Sequence, residues 1–113
     1  MSVDSLEHMP VGKWQFDNKV TECFDDMLAR SIPQLHIMRE LVTDIALRHI
    51  QPYSTTLDLG CSNGGALRPI IKSNDDVTCQ FVGVDTSQPM VDSARLNLKN
   101  SIEAGSLSLL KKY

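Results

Sequence analysis

The sequence of 113 residues predicts an α/β chain in which a parallel sheet follows two N-terminal helices. Two observations predict it. From Phe16 to Ile50, apolar residues recur every three or four positions; after Pro52 the pattern changes to short apolar runs alternating with helical stretches. The run "TTLDLGCSNGGAL", residues 55–67, stops an apolar strand at a carboxylate and follows it at once with a glycine-rich turn. Strands alternating with helices form parallel sheets with right-handed crossovers, and such sheets bind ligands beyond the carboxyl ends of their strands.

Each element has its own signals. Residues 1–13 carry Pro10 and Gly12 with no periodicity and read as a flexible arm before a domain spanning 14–113. Phe16, Val20, Cys23, Phe24, Met27 and Leu28 then fall on one face of a first helix, punctuated by Ser31 and Pro33. A second helix steps through Ile37/Met38, Leu41/Val42, Ile45/Ala46 and His49/Ile50 and ends at Pro52. Both read as packing elements, with His49 at the boundary of the apolar face. "STTLDLG" is a strand of about five residues. "GGALRPIIKS" is a short helix that Pro69 forces to start late or to kink. "TCQFVGVD" is a second strand ending at Asp85. The helix over "TSQPMVDSARLNLKNSIEAG" has Ser87 as cap, Pro89 in its first turn, Gly105 beyond its end, and Val91, Ala94 and Leu98 facing inward. "SLSLLKKY" reads as a third strand.

Composition narrows the function classes. With 11 basic and 14 acidic residues the net charge is −3, and no basic run exceeds Lys111-Lys112, so direct nucleic-acid binding is not expected. No apolar run approaches the roughly 20 residues of a membrane span, and "MSVDSLEHMP" lacks the pattern of a secretory leader, so a cytoplasmic protein is expected. Cys23, Cys61 and Cys79 form no paired motif and are expected as reduced thiols. His8, His36 and His49 share no ligand spacing with each other or with the cysteines, so no metal is expected.

The chemistry concentrates in residues 58–65. Gly60 permits a tight turn, Ser62 leaves room, and Gly64 lets a ligand approach the start of the next helix. G-C-S-N-G-G fits two cofactor loops, each with Ser62 at a glycine position. One is the G-x-G-x-x-G loop for a dinucleotide; the other is the D/E-x-G-x-G-x-G loop for S-adenosylmethionine. Asp58 favours the second, because a carboxylate there repels a diphosphate and attracts the ammonium of an amino-acid moiety. Asp85, at the end of the next strand, is placed to accept ribose hydroxyls in either reading. The plainer alternative is that Asp58 and Asp85 only cap helices.

Three segments carry a further likeness. "KWQFDNKVTECFDDMLARSIPQL", "QPYSTTLDLGCSNGGAL" and "VGVDTSQPMVDSAR" resemble the carboxy-S-adenosylmethionine synthase family, from about Trp14 to about Asn100. The resemblance implies a Rossmann-like class I methyltransferase fold, here with a truncated sheet. It implies that Gly60, Cys61 and Ser62 line the methionine part of S-adenosylmethionine or carboxy-S-adenosylmethionine, and that Asp85 and Thr86 hold the ribose. It further implies a homodimer that uses prephenate as carboxyl donor, with the product serving modification of the tRNA wobble uridine. Leu35 stands where the family's S-x-P-G-Y has tyrosine, and Thr86 where it has asparagine. Nothing matches the family's arginine for the donor carboxylate. The chain is therefore expected to be the first half of a longer enzyme, inactive alone, with its first strand left as a sheet edge. No catalytic residue is assigned, and Cys61 reads as a small loop residue. The alternatives are another S-adenosylmethionine-dependent methyltransferase, or a non-catalytic nucleotide-binding and dimerising fragment.

Overall fold

The computed structural model describes residues 18–112. The arm expected at 1–13 and the helix start at Phe16 lie outside the described residues. The elements are α1 (Asn18–Glu22), α2 (Phe24–Ser31), α3 (Leu35–His49), β1 (Thr55–Leu59), α4 (Leu67–Ser73), β2 (Gln80–Asp85), α5 (Gln88–Asn97), α6 (Lys99–Glu103) and β3 (Leu107–Lys111). The strands form a parallel sheet in the order β1-β2-β3, which leaves β1 at one edge. No helix among the described residues is long and apolar enough to cross a membrane.

Register decides what the sheet buries. Asp58 lies opposite Gly83, which lies opposite Leu109, while Phe81 lies opposite Leu107. This face packs on α4 and α5 through Leu67, Ile70, Val91, Ala94 and Leu98 to form the core. Fully burying a side chain such as Phe81 or Leu67 stabilises the fold by about 1.5–3 kcal/mol. The opposite face, with Leu57, Leu59 and Leu110, is exposed.

Four readings need correction. The expected first helix is two, because Cys23 leaves helical geometry (φ −110°, ψ 12°) and its thiol bonds back to the Lys19 carbonyl at 3.2 Å. The helix restarts with Asp25 and Asp26 in its first turn, where carboxylates favour the positive end of the dipole. The expected long helix after Asp85 breaks at Leu98 (φ −119°, ψ 25°), which stays buried while the chain turns around it. The second strand begins at Gln80 rather than Thr78, whose N–H is taken by the Asp76 carboxylate at 2.8 Å.

The fourth correction concerns α3. Ala46, Leu47 and Ile50 pack against the core, but Ile37, Met38, Leu41, Val42 and Ile45, on the face of a helix read from sequence as a packing element, are 43–58% exposed.

Other local signals hold. Ser87 accepts the Met90 N–H at 3.3 Å, with proline in the first turn of α5. Gly105 adopts φ +80°. α4 starts at Leu67, which puts Pro69 among the first-turn positions that have no intrahelical N–H partner anyway.

Candidate functional site

The loop after β1 closes over the end of β2. The N–H groups of Gly60 and Cys61 both donate to the Val84 carbonyl, at 2.7 and 2.9 Å. Asp85 then pins the middle of the loop to the start of α5. One of its carboxylate oxygens accepts the Ser62 N–H and the other the Ser87 N–H, both at 2.9 Å. Ser62 sits at φ +52°, a conformation costing a non-glycine residue about 1 kcal/mol or more, and the Asp85 bond holds it there. Gly60 at φ +77° needs no such compensation.

Gly60, Ser62, Asp85 and Thr86, with Leu59 and Lys112, line a cavity of about 480 Å³ at the strand ends. Asp58 is half-buried, and its carboxyl pKa is raised by burial and then by the negative charge of Asp85. The two acids therefore share one electrostatic neighbourhood. It suits a cation and opposes a diphosphate. A carboxylate offers about four lone-pair sites, so Asp85 keeps two for a ligand while it anchors the loop. Helix capping alone does not describe it, since one of its oxygens organises the glycine loop.

Cys61 points away from this cavity into the core. Its sulfur lies 3.0 Å from where a Cβ on Gly83 would stand, so the glycine in β2 makes room for it. Burial, followed by the charges of Asp58 and Asp85, pushes the thiol up to about 11. It stays protonated at neutral pH and is a poor nucleophile. Only its backbone is available to a ligand at the loop.

Gly64 has a packing task as well. A Cβ there would stand 2.6 Å from Leu98 Cδ1, and its φ is +84°. The missing side chain admits a core leucine, and Gly64 also lines a cavity of about 300 Å³ beside the loop.

Sequence reading passed over Asn63, Asp25, Asn97 and Arg39. Buried Asn63 donates its side-chain N–H to Asp25 Oδ1 at 2.9 Å and accepts the Gly65 N–H at 3.2 Å; its carbonyl accepts Asn97 Nδ2 at 3.0 Å. It ties α2, the loop and the end of α5 together. The only available signal was an asparagine inside a glycine turn, where its side chain bonds nearby backbone. The Arg39 guanidinium lies against Gly65, with Nη2 2.7 Å from where a Cβ would be. Among the described residues no group of three His, Cys, Asp or Glu could hold a metal ion.

No family model matches the chain. Its sequence is 41% identical over 86 residues to the carboxy-S-adenosyl-L-methionine synthase of Aliivibrio fischeri, covering 76% of this chain and 36% of the relative. It is 40% identical over 84 residues to the enzyme of the same name from Idiomarina loihiensis, covering 74% and 35%. The chain thus spans 35–36% of the length of these curated relatives. Among solved structures, an S-adenosylmethionine-dependent methyltransferase from Aquifex aeolicus superposes with a TM-score of 0.59 at 20% identity, over 88% of this chain and 48% of that one. One from Geobacter sulfurreducens, solved with S-adenosyl-L-homocysteine, gives 0.51 at 21% identity, over 77% and 35%. In sequence the chain is similar to carboxy-S-adenosyl-L-methionine synthases, and in architecture it is a three-stranded part of the Rossmann-like fold of class I S-adenosylmethionine-dependent methyltransferases.

Proposed function

We propose that this chain is the S-adenosylmethionine-binding part of a transferase that forms carboxy-S-adenosylmethionine. The observation that carries the reading is the acidic pair Asp58 and Asp85 at the ends of adjacent strands, flanking a glycine loop beside a cavity of about 480 Å³. The similarity to enzymes named for that product supports it. The binding unit is residues 14–113, with 1–13 as an arm. Asp58 attracts the ligand's ammonium, the backbone of Gly60, Cys61 and Ser62 lines its methionine part, and Asp85 with Thr86 holds the ribose hydroxyls. Gly64 lets Leu98 support the loop and lets the ligand approach the start of α4.

Bound S-adenosylmethionine supplies the sulfonium-linked methyl carbon that receives the carboxyl group. No residue of this chain is assigned as nucleophile, and the named residues bind, orient and balance charge. By resemblance the carboxyl donor is prephenate, the product serves modification of the tRNA wobble uridine, and the enzyme is a cytoplasmic homodimer. The donor-gripping arginine of the family has no counterpart here, so the 113 residues are expected to bind ligand without turning it over.

Calorimetric titration with S-adenosylmethionine and, separately, NAD tests the binding reading. Tighter binding of NAD would reverse the choice of cofactor. Mass spectrometry of a mixture containing prephenate and S-adenosylmethionine tests the rest; turnover by this chain would overturn the expectation of inactivity.

A further inference from the structure

The loop between β1 and α4 carries opposite charges toward its two ends. At its start is the half-buried carboxylate of Asp58. Toward its other end the half-buried Arg39 of α3 rests its guanidinium on Gly65, with three guanidinium atoms within 2.7–3.0 Å of a would-be Cβ. That closeness is open to glycine alone, since any side chain would displace the guanidinium. Arg39 also lines a cavity of about 300 Å³ together with Leu35, Asn63, Gly64, Gly65 and Arg68. The acid in this cavity, Asp25, has one carboxylate oxygen on the Asn63 side-chain amide. Among the described residues neither Arg39 nor Arg68 forms an ion pair. Arg68 is exposed to solvent, whereas Arg39 is half-buried against the loop; Lys112 lines the strand-end cavity on the other side of Ser62.

Leu35 and Arg39 stand one helical turn apart on α3 and line the same cavity. Of the two, leucine offers no hydrogen bond. A guanidinium one turn later offers a planar fork of donors matched to a carboxylate. The amino-acid end of S-adenosylmethionine is a zwitterion, so it presents an ammonium and a carboxylate together.

We infer that Arg39, seated on Gly65, binds the α-carboxylate of the ligand's amino-acid end. The inference rests on the S-adenosylmethionine reading above. Asp58 then serves the ammonium and Arg39 the carboxylate. Arg39 is a specificity residue, separating ligands that keep the α-carboxylate from those without it.

Calorimetric titration of the chain with S-adenosylmethionine and with its decarboxylated analogue, which lacks only the α-carboxylate, tests the assignment. The native chain should prefer S-adenosylmethionine by about 10- to 100-fold, the usual worth of a charge-assisted pair. Arg39→Gln should abolish that preference and leave the analogue's affinity within about twofold, and Arg39→Lys should retain part of it. Gly65→Ala, which pushes the guanidinium aside, should act in the same direction. Equal weakening of both ligands by Arg39→Gln would make the residue a support of the fold and overturn the inference. So would a native chain that does not distinguish the two ligands. Failure of the native chain to bind either, with NAD still bound, would sink the S-adenosylmethionine reading itself, and this inference with it.

Discussion

The two faces of the sheet are built from the same three strands and meet different fates. On one, Phe81, Leu107 and Leu109 are buried against α4 and α5, and Gly83 gives up its side chain so that Cys61 can fit. On the other, Leu57 opposes Val82 and Leu59 opposes Val84, yet Leu57 and Leu59 are 54% and 76% exposed. Both rows are apolar, so hydrophobicity alone does not say which is the core. The difference is the helices α4 and α5, whose apolar side chains cover the first face. The glycine loop grows from the rim between the faces, so the packed side fixes its geometry while the strand ends stay accessible.

The largest effect should come from removing a core side chain. Phe81→Ala should destabilise by about 3–5 kcal/mol, whereas Leu59→Ala on the other face should cost well under 1 kcal/mol. Denaturant melts of both variants measure this. Comparable losses would mean that the exposed face is covered in solution.

Such cover is the next prediction. β1 is an edge strand, it carries the exposed Leu57 and Leu59, and α3 presents its own exposed apolar stripe. Burying a few hundred Å² of apolar surface at about 25 cal/mol per Å² drives association by several kcal/mol. The chain is expected to self-associate at micromolar concentration in sedimentation runs. Leu57→Lys with Leu59→Lys should shift it toward monomer while leaving the Phe81 side intact. A native chain that sediments as a well-behaved monomer would remove the argument.

At the rim the effects are smaller and concern ligand more than fold. Asp85→Ala should weaken S-adenosylmethionine by roughly 1–3 kcal/mol, because it removes the proposed ribose acceptors and also frees the strained Ser62. Unchanged affinity would take Asp85 out of the site.

What the sequence revealed of this arrangement was local. The strand-turn-helix grammar, the cap at Ser87, the turn at Gly60 and the late start before Pro69 each depend on residues a few positions apart, and each could be read. The breaks at Cys23 and Leu98 carry no glycine or proline signal. Leu98 turns where it does because Gly64, 34 positions earlier, leaves a hole for it. Asn63 is likewise intelligible only beside Asp25 and Asn97. The α3 stripe was readable as apolar but not as exposed, since periodicity reports a face and not its partner. Arg39 fell outside the reading because its significance is a contact with Gly65, 26 positions away.

The smallest effect separates stability from binding at Asp58. Burial and the neighbouring Asp85 charge raise its carboxyl pKa above the ordinary value of 3.8. An acid raised in the folded state contributes stability that is present below its unfolded pKa and lost as the pH rises through the folded one. At neutral pH, therefore, ionised Asp58 strains the fold slightly, and solvent screening keeps the penalty small. Asp58→Asn should raise Tm at pH 7 by roughly 2 °C, the response of a domain this size to about 0.5 kcal/mol. The gain should shrink as the pH falls through the raised carboxyl pKa and vanish below the ordinary value of 3.8, where the aspartate is protonated in both folded and unfolded chains. The same variant should bind S-adenosylmethionine more weakly at pH 7, since the charge that burdens the empty fold is the one that attracts the ligand's ammonium. Melting curves at pH 3 and 7, run beside calorimetry at pH 7, check both halves. A lower Tm at pH 7 would contradict the electrostatic account of Asp58, and tighter binding would contradict its assignment to the ammonium.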